Sequence, residues 1–392
     1  YGPCAFVITR MVRFHGGQTS VLRLGTQLEN QGMRVYYLIC KAQSRKEMCL
    51  CAESNLQNYR GKCMSLEAYL KKLKSKKLAG ADFVCATSWD TVSFAKKLST
   101  SYKMYFVQDY EPYFYKYGEE YLMCRSTYAQ GLHMVSLGAW NRDMILKDFA
   151  GDAFSGSGRM AGCTYASGNA SCRLDCASAS EGSVRQVQPV IDIVDFPYEA
   201  SEYENKGRNY TAYADKKRLR LAVYVKFYGK RLPAFIPWML ENTARRLKER
   251  GIALEVLYFG EAKTFKAAGG RNLGQLSKKE LNGLYAYADF GMVASMSNIS
   301  LVPFEMHAAG LPVIEFADGT YTHFLPEDSA ILTDISKTDI ADELERVLKN
   351  PELLGKMHAS AMSAMKELGW EKTGRQFADI LRDICNNGQH QR

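Results

Sequence analysis

Short apolar runs alternate with amphipathic segments along the first half of the chain, and this alternation predicts strands separated by helices. Apolar runs that read as buried strands lie at 5–9, 35–40, 82–88, 103–109, 133–138 and 189–194. Helical spacing follows most of them, for example at 65–77, 91–98 and 139–149. Strands that alternate with helices indicate a parallel sheet covered on both faces.

The same alternation starts again in the second half of the chain. Strands are predicted at 218–225, 254–260, 289–294, 311–316 and 330–332. Helices are predicted at 233–250, from Ser277 onward, and at 336–349, 351–368 and 370–386, with Ser277 and Glu280 as a capping box. The pattern therefore predicts two α/β domains with a helical tail.

Two segments interrupt the alternation. Residues 151–187 are rich in glycine, serine and alanine, have no periodicity and are interpreted as a mobile insert. Residues 198–217 are polar and charged and are interpreted as a linker.

Composition fits a globular protein large enough for two cores. The chain has 392 residues, of which 46% are hydrophobic and 24% charged. The net charge of +9 suits an anionic ligand or an anionic membrane surface. No apolar run approaches the roughly eighteen residues of a membrane span. The N-terminal residues lack the basic and apolar pattern of a signal peptide. Because the sequence begins at Tyr1 without a methionine, we expect it to be a segment of a longer chain.

The eleven cysteines are odd in number and lie mostly in apolar segments, as expected of reduced thiols. Cys163, Cys172 and Cys176 are close in sequence, but their spacing matches no standard zinc pattern and no histidine is near. We therefore expect no metal site.

The stretch 295–314 is the strongest candidate for chemistry. A loop of small residues leads to Pro303, which is expected to open a short helix with Glu305 in its first turn, and Gly310 is expected to end that helix. A loop followed by a helix N-terminus favours phosphate, and a carboxylate beside it suits sugar hydroxyls. The alternative is an ordinary strand–loop–helix unit with a solvated glutamate.

Three elements of the second domain are expected to meet at the strand ends. They are the basic turn with Lys226, Lys230 and Arg231, the turn from Gly274 to Leu276, and the loop 295–301 with Glu305. Together they suit a nucleoside diphosphate, with the cations on the phosphates and the 274–276 turn against the base. Each basic residue taken alone is equally consistent with a solvated surface charge.

In the first domain, candidate residues also follow predicted strands. Gly16 and Gly17 stand at the first turn, without the third glycine of a dinucleotide fingerprint. Ser88-Trp89-Asp90 and the acids Asp109 and Glu111 follow two further strands. Ligands of such sheets bind beyond the carboxyl ends of the strands. Solvated loop acids are the alternative for Asp109 and Glu111.

Several motifs resemble one enzyme family. Phe304-Glu-Met-His-Ala-Ala-Gly-Leu-Pro-Val-Ile314 resembles the donor-site signature of GT-B nucleotide-sugar glycosyltransferases of the retaining fourth family. The stretches 276–289 and 369–373 resemble the helix before that signature and the C-terminal helix. The stretches 105–112 and 136–140, and the Lys226/Arg231 pair, are similar to bacterial rhamnosyltransferases of cell-surface polysaccharide assembly.

The resemblance implies a fold and a domain plan. It implies a GT-B fold of two Rossmann-like doubly wound parallel-sheet domains, in which a C-terminal helix crosses back to the first domain and a cleft between the domains holds the donor. We accordingly predict an acceptor-side domain at 1–197, the linker, a nucleotide-sugar domain at 218–368 and the returning helix at 369–392.

The resemblance also implies roles for residues. Lys226 and Arg231 would bind the diphosphate with help from the 298–301 amides, and Glu305 would bind ribose. Gly16, Gly17, Asp109 and Glu111 would face the sugar or acceptor. The predicted catalytic set is Asp109, Glu111, Lys226 and Arg231. The predicted donor set is Gly16, Gly17, Lys226, Arg231, Gly274, Leu276, Ser297, Asn298, Ile299, Ser300, Leu301 and Glu305. Ser297 departs from the family pattern, which usually has an acid there.

The prediction is a metal-independent, retaining hexosyltransferase without a cofactor, whose donor is a nucleoside-diphosphate sugar. L-Rhamnose from dTDP-rhamnose is the donor that the nearer resemblance suggests. The expected acceptor is a glycan or lipid-linked glycan, and the expected place is the cytoplasm, with peripheral contact at the anionic inner face of the cell membrane. A non-catalytic binding module and a sugar-nucleotide epimerase remain alternatives. Nucleic-acid binding is not expected, because the basic residues are dispersed.

Overall fold

The computed structural model describes most of the chain. The described residues are 2–152, 189–199, 203, 205, 207–214, 216–226, 231–264, 266 and 268–389. Predictions that fall on other residues, namely nearly all of the 151–187 insert with its three cysteines, and Lys230, lie outside the described residues.

By its internal contacts the chain divides into two units. The first contains Tyr1–Pro112, Tyr117–Asp195 and Thr373–Arg392, and the second contains Tyr113–Lys116 and Phe196–Lys372. Each unit is built on one parallel sheet. A crossover segment therefore connects each strand to the next, because parallel strands all start at the same end of the sheet.

The first unit has a seven-stranded parallel sheet. Its strands are β1 (Cys4–Ile8), β2 (Val35–Ile39), β3 (Lys62–Ser65), β4 (Phe83–Ala86), β5 (Tyr102–Val107), β6 (His133–Leu137) and β7 (Ile191–Val194). Its helices are α1 (Gly16–Asn30), α2 (Arg45–Asn55), α3 (Leu66–Lys74), α4 (Val92–Lys97), α5 (Glu119–Ser126) and α6 (Ala139–Asp152). The strand order β3-β2-β1-β4-β5-β6-β7 reverses direction between β1 and β4.

The second unit has a six-stranded parallel sheet with the same reversal. Its strands are β8 (Arg218–Tyr224), β9 (Ala253–Phe259), β10 (Arg271–Asn272), β11 (Phe290–Met292), β12 (Val313–Phe316) and β13 (Ile331–Thr333). Its helices are α7 (Phe235–Glu249), α8 (Lys278–Tyr287), α9 (Leu301–Ala308), α10 (Ala341–Lys349) and α11 (Glu352–Met365). The order β10-β9-β8-β11-β12-β13 places the reversal between β8 and β11.

The last helix, α12 (Trp370–Gln389), belongs to the first unit from Thr373 onward. Phe377 is fully buried, and its ring lies 6.2 Å from that of Phe6 on β1 and 5.9 Å from that of Phe106 on β5. Gln376 accepts a hydrogen bond from the Asp195 N–H at 2.9 Å, and Thr373 donates to the Asp195 carbonyl at 2.9 Å. The end of the chain therefore supplies part of the core of the first unit.

The α/β architecture with two parallel sheets confirms the fold predicted from the sequence. Four elements were not predicted from the sequence, namely α2, β3, α5 and β10. Helix α2 contains three charged residues in its first turn and little apolar periodicity, and β3 is a short strand at the sheet edge with a mixed pattern. The capping box at Ser277 and Glu280 is present as predicted.

Among the described residues no helix combines the length and apolar character needed to cross a membrane. The described cysteines are free thiols, and burial raises the pKa of Cys4 and of Cys40 to about 12, so these thiols stay protonated at neutral pH.

Candidate functional site

The reversal in the second sheet places two predicted site elements side by side. Lys226 follows β8, the loop from Ser295 follows β11, and these strands are neighbours. Arg231 joins the two sides, because its guanidinium Nη1 donates a 2.6 Å hydrogen bond to the Ala294 carbonyl. In open parallel sheets, ligands bind at such a reversal beyond the carboxyl ends of the strands.

Arg231 is a buried cation rather than a surface charge. Its side chain is only 7% exposed, and the guanidinium lies 5.8 Å from the centre of the Tyr224 ring. A guanidinium withdrawn from water interacts more strongly with an anion than one at the surface. Lys226 is half-buried next to the end of β8.

The loop after β11 is largely buried. Ser295 and Ser297 are fully buried, and Asn298, Ile299 and Ser300 are almost so. The Asn298 side-chain oxygen accepts from the Ile299 N–H at 2.9 Å. Ser297, which stands where the family usually has an acid, therefore lies inside the protein and not at its surface.

Glu315 on β12 holds the beginning of this loop. Its carboxylate accepts from the Ser295 hydroxyl at 2.6 Å and from the Ser295 and Phe316 N–H groups at 3.2 Å each. Glu315 is fully buried, and burial raises its pKa to about 7, although these hydrogen bonds and nearby Arg231 favour the ionised form. The sequence contained one signal for it, an acid inside the otherwise apolar run Val313-Ile-Glu-Phe316.

Helix α9 differs in detail from the prediction. It begins at Leu301, with the Ser300 hydroxyl accepting from the Val302 N–H at 3.3 Å, so Pro303 is its third residue and not its first. Glu305 consequently lies in the second turn, which corrects its predicted place in the first. Gly310 ends the helix with φ of 73°, as its predicted left-handed cap requires.

Glu305 is oriented by a buried tyrosine that the sequence did not indicate. The hydroxyl of Tyr285, on α8, donates to the Glu305 carboxylate at 3.2 Å. The Tyr285 ring lies 6.0 Å from that of Phe259, which lies 5.6 Å from that of Tyr224 beneath Arg231. A continuous row of contacts therefore connects Glu305 with Arg231, two of the predicted donor ligands.

The turn predicted to pack the nucleotide base joins the same edge of the sheet. Gly274 has φ of 87°, its carbonyl accepts from the Gly260 N–H at 2.9 Å, and the Lys263 side chain lies against it. Leu276 is half-buried just before α8. The Gly274 turn thus follows β10 and is hydrogen-bonded to Gly260, which follows β9, the strand that pairs with β8.

In the first unit, Gly16 and Gly17 are the first two residues of α1 and not loop residues. His15 caps the helix, with its Nδ1 accepting from the Gln18 N–H at 3.3 Å. No atom lies within 4 Å of where a Gly16 side chain would begin. The backbone of Gly16 is therefore open to close approach.

Three amide side chains fix the loop before α1, and we call them the amide clamp (Gln18, Gln43 and Asn55). Gln18 contacts the Arg10 carbonyl at 2.7 Å and the Val12 N–H at 2.8 Å, and Gln43 contacts the Met11 carbonyl at 2.8 Å and its N–H at 3.0 Å. Asn55 contacts the Val12 carbonyl at 2.7 Å and the His15 N–H at 2.8 Å. These six hydrogen bonds hold the loop in one conformation, with Phe14 at φ of 55° and 83% exposed.

The two acids predicted to face the sugar or acceptor have different surroundings. Asp109 is half-buried, whereas Glu111 is 6% exposed. The Glu111 carboxyl accepts from the Tyr105 hydroxyl and from the Trp89 N–H at 3.0 Å. Burial raises the pKa of Glu111 to about 8. Both oxygens of Glu111 therefore have internal partners.

Asp90, between these acids and β1, is more accessible. Its carboxylate is exposed and accepts from Thr9 at 2.6 Å and from Ser88 at 2.5 Å, so it bridges the ends of β1 and β4 at the reversal of the first sheet.

The structure thus groups the predicted residues in two sets. Within the second unit it gathers Lys226, Arg231, Gly274, Leu276, loop 297–301 and Glu305 at one edge of the sheet, and within the first unit it gathers Gly16, Gly17, Asp109 and Glu111. Their roles stay predictions. In the part of the chain that the structure describes, no three histidine, cysteine or acidic side chains are grouped closely enough to hold a metal ion.

Comparison with known proteins begins with one sequence relative. No protein-family model matches the chain. A D-inositol 3-phosphate glycosyltransferase of Nocardioides sp. is 33% identical over 110 residues, which are 27% of this chain and 24% of that protein. The chain therefore matches about a quarter of the length of this curated relative.

Solved structures match over nearly the whole chain. HepE of Anabaena, in complex with UDP-glucose, superposes with a TM-score of 0.63 at 10% identity and covers 98% of this chain and 100% of its own. WaaG, a glycosyltransferase involved in lipopolysaccharide biosynthesis, has a TM-score of 0.54 at 14% identity, with coverage of 96% and 99%. Together with the two parallel sheets, these matches show that the chain has the GT-B fold of two Rossmann-like domains.

Proposed function

We propose that this chain is a glycosyltransferase that binds a nucleoside-diphosphate sugar in its second unit and moves the sugar to a glycan or lipid-linked glycan. The observation that carries the proposal is the convergence at the reversal of the second sheet. A buried arginine, a half-buried lysine, a capped helix N-terminus and an oriented carboxylate all lie at one sheet edge.

The chemistry of each group fits one part of the donor. Arg231 and Lys226 would neutralise the diphosphate, and loop 298–301 with the N-terminus of α9 would add N–H donors. Glu305, held by Tyr285, would accept hydrogen bonds from the ribose hydroxyls. The turn at Gly274 and Leu276 would pack against the base.

In the proposed reaction, an acceptor hydroxyl attacks the anomeric carbon as its bond to the diphosphate breaks. Lys226 and Arg231 stabilise the negative charge that develops on the leaving diphosphate, and they supply the charge that a metal ion would give. A leaving phosphate oxygen takes the proton of the acceptor hydroxyl on the same face of the sugar. This front-face course retains the anomeric configuration and needs no protein nucleophile.

Two nucleotide sugars, which differ in base and in sugar, are candidate donors. HepE binds UDP-glucose, which supports a uridine donor, whereas the similarity of Lys226 and Arg231 to rhamnosyltransferases supports dTDP-rhamnose. The net charge of +9 and the exposed Lys71, Lys72 and Lys74 on α3 support a cytoplasmic protein in peripheral contact with an anionic membrane that carries the acceptor.

Donor binding gives the direct test. Glu305→Ala and Arg231→Ala should each weaken binding of UDP or dTDP at least about tenfold, because each removes hydrogen bonds that involve a charged group. Isothermal titration calorimetry would measure both affinities. Glu352→Ala and Arg245→Ala, at exposed positions of α11 and α7, are the matched controls and should bind as the unchanged protein does.

Unchanged affinity in both Glu305→Ala and Arg231→Ala would refute the assignment of the donor site. A thermal-shift panel of UDP, dTDP, GDP and ADP would identify the base, because the tightest ligand gives the largest stabilisation.

A non-catalytic nucleotide-sugar-binding module is the second candidate. Its supporting observation is the buried Ser297 at the position of the family's first acid. Such a module would bind the donor without hydrolysing it or transferring its sugar, so release of UDP or dTDP in the presence of acceptor excludes it. Epimerisation of donor without acceptor would instead indicate a sugar-nucleotide epimerase.

A further inference from the structure

We propose that Glu315 is a positioning residue of the donor site, and that its ionised carboxylate holds loop 295–300 in the conformation that receives the diphosphate. This inference rests on the proposed function, because that proposal assigns the loop to the donor phosphates. Glu315 lies on β12, does not belong to the predicted donor set and is fully buried beneath the loop.

Ser295 is the residue through which Glu315 would act. Its hydroxyl donates its single proton to Glu315 Oε1 at 2.6 Å, so the lone pairs of the hydroxyl remain for another donor. The Ser300 N–H donates to that same hydroxyl oxygen at 3.3 Å. The carboxylate thereby fixes the direction of a hydroxyl that joins the first and last residues of the loop.

The backbone of Ser295 is held on both sides. Its N–H donates to Glu315 Oε2 at 3.2 Å, and its carbonyl accepts from the Thr320 N–H at 2.6 Å and from the Thr320 hydroxyl at 2.9 Å. Ser300, at the other end, caps α9. A change at Glu315 is therefore transmitted to the loop and to the start of the helix that carries Glu305.

The ionised form of Glu315 fits these partners. All three groups that face its oxygens are donors, namely the Ser295 hydroxyl and the Ser295 and Phe316 N–H groups. A protonated carboxyl would direct its own O–H at one of them and lose one acceptor position.

Two further groups act on this carboxylate. Arg231, from the segment after β8, lowers the pKa of Glu315. The pKa of Tyr321, from the segment after β12, is raised mainly by burial and further by the charge of Glu315. Burial is the largest effect and places the pKa of Glu315 at about 7. Since the folded pKa is raised, the ionised form gains population as pH rises through about 7, and donor affinity should rise with it.

The experiment measures binding of UDP-glucose and dTDP-glucose by calorimetry from about pH 6 to about pH 8.5, with Kd as the readout. In these donors the terminal phosphate is esterified to the sugar and has no ionisation near neutral pH, unlike the terminal phosphate of UDP, so their own charge stays constant over this range. The unchanged protein should bind more weakly as pH falls through about 7. Glu315→Gln should bind roughly tenfold more weakly at high pH and should lose this pH dependence.

Ser295→Ala removes the hydroxyl that links Glu315 to Ser300 but keeps the buried charge of Glu315. This variant also tests the inference if Glu315→Gln does not fold. It should weaken donor binding to a similar degree, and the double variant should be little weaker than either single variant, because both changes break one network. In steady-state assays, the KM for donor should rise while kcat at saturating donor changes little.

Asp289→Asn is the matched control in the same unit. Asp289 is a buried acid that accepts from the Arg220 N–H at 2.8 Å, before β11 and away from the loop. The Asp289→Asn variant should have a lower free energy of unfolding, but its Kd for the donor and the pH dependence of that Kd should be unchanged.

Wild-type affinity and wild-type pH dependence in a folded Glu315→Gln, or in Ser295→Ala, would overturn the inference. If Glu305→Ala and Arg231→Ala abolish binding in the same assay, the donor site stands and only the role of Glu315 fails. No binding of either donor by the unchanged protein would overturn both proposals.

Discussion

Individual buried carboxyls in this chain have surroundings that raise their pKa. Glu111 and Glu315 are both removed from water and accept hydrogen bonds from hydroxyl and N–H donors. The position of Glu111 after a strand made it a candidate in the sequence, but no local pattern predicted that Trp89 and Tyr105 would engage both carboxyl oxygens. Glu315 was missed because a single acid inside the apolar run Val313-Ile-Glu-Phe316 does not reveal that Ser295, twenty residues earlier, is its partner.

The raised pKa of Glu111 predicts a pH-dependent stability. Its folded pKa of about 8 exceeds the ordinary value of 4.5, so the unfolded chain releases this proton first as pH rises. Stability should fall between these values by up to about 1.4 kcal/mol per pH unit for this group. Glu111→Gln should remove that slope in urea denaturation at several pH values.

Glu67→Gln, which changes an exposed acid at the start of α3, is the control for this measurement. It should retain the slope of the unchanged protein. An identical slope in Glu111→Gln and the unchanged protein would show that Glu111 is not the group that titrates.

Two glycines of the second unit differ in whether their backbone and surroundings would accept a side chain. Gly310 ends α9 with φ of 73°, and a side chain there would also meet Asn205. Gly283 lies inside α8, is exposed, and has no atom within 4 Å of where its side chain would begin.

Alanine at these two glycines should therefore act in opposite directions. Gly310→Ala should lower the free energy of unfolding by about 1 kcal/mol or more, because alanine is strained at positive φ. Gly283→Ala should raise it by about 0.5–1 kcal/mol, because glycine is a poor residue inside a helix. Chemical denaturation of both variants measures this, and a stabilising Gly310→Ala would contradict the assigned cap.

The sequence predicted most elements because strands and amphipathic helices have distinct periods. It predicted the end of α9 from Gly310, but placed the start at Pro303, because proline in a first turn does not fix which position it takes. The true start depends on the Ser300 cap, which a neighbouring serine could equally have supplied. Partners distant in sequence, such as Tyr285 with Glu305, leave no local pattern.

At the scale of the whole molecule, the chain divides into two units, and its last helix contributes to the first. The sequence pattern predicted a helix at 370–386, and the resemblance of 369–373 to a known C-terminal helix predicted its return to the first domain. Its core contacts depend on residues far away in the sequence. The buried Phe377 packs against Phe6 and Phe106.

The first unit should consequently require the C-terminal helix for its stability. Phe377→Ala should destabilise that unit by about 3–5 kcal/mol, through lost burial and the cavity left behind. Asp383→Ala, at an exposed position of the same helix, should have little effect. Thermal denaturation by calorimetry would compare them, and equal stability of the two variants would contradict this packing.

The amide clamp has a consequence for the ageing of the protein. In all three members the amide nitrogen faces a backbone carbonyl, those of Arg10, Met11 and Val12. Deamidation would replace that nitrogen with a negatively charged oxygen, so an attraction would become a repulsion at each position. Deamidation of the amide clamp would therefore release the loop before Gly16 while leaving both sheets intact.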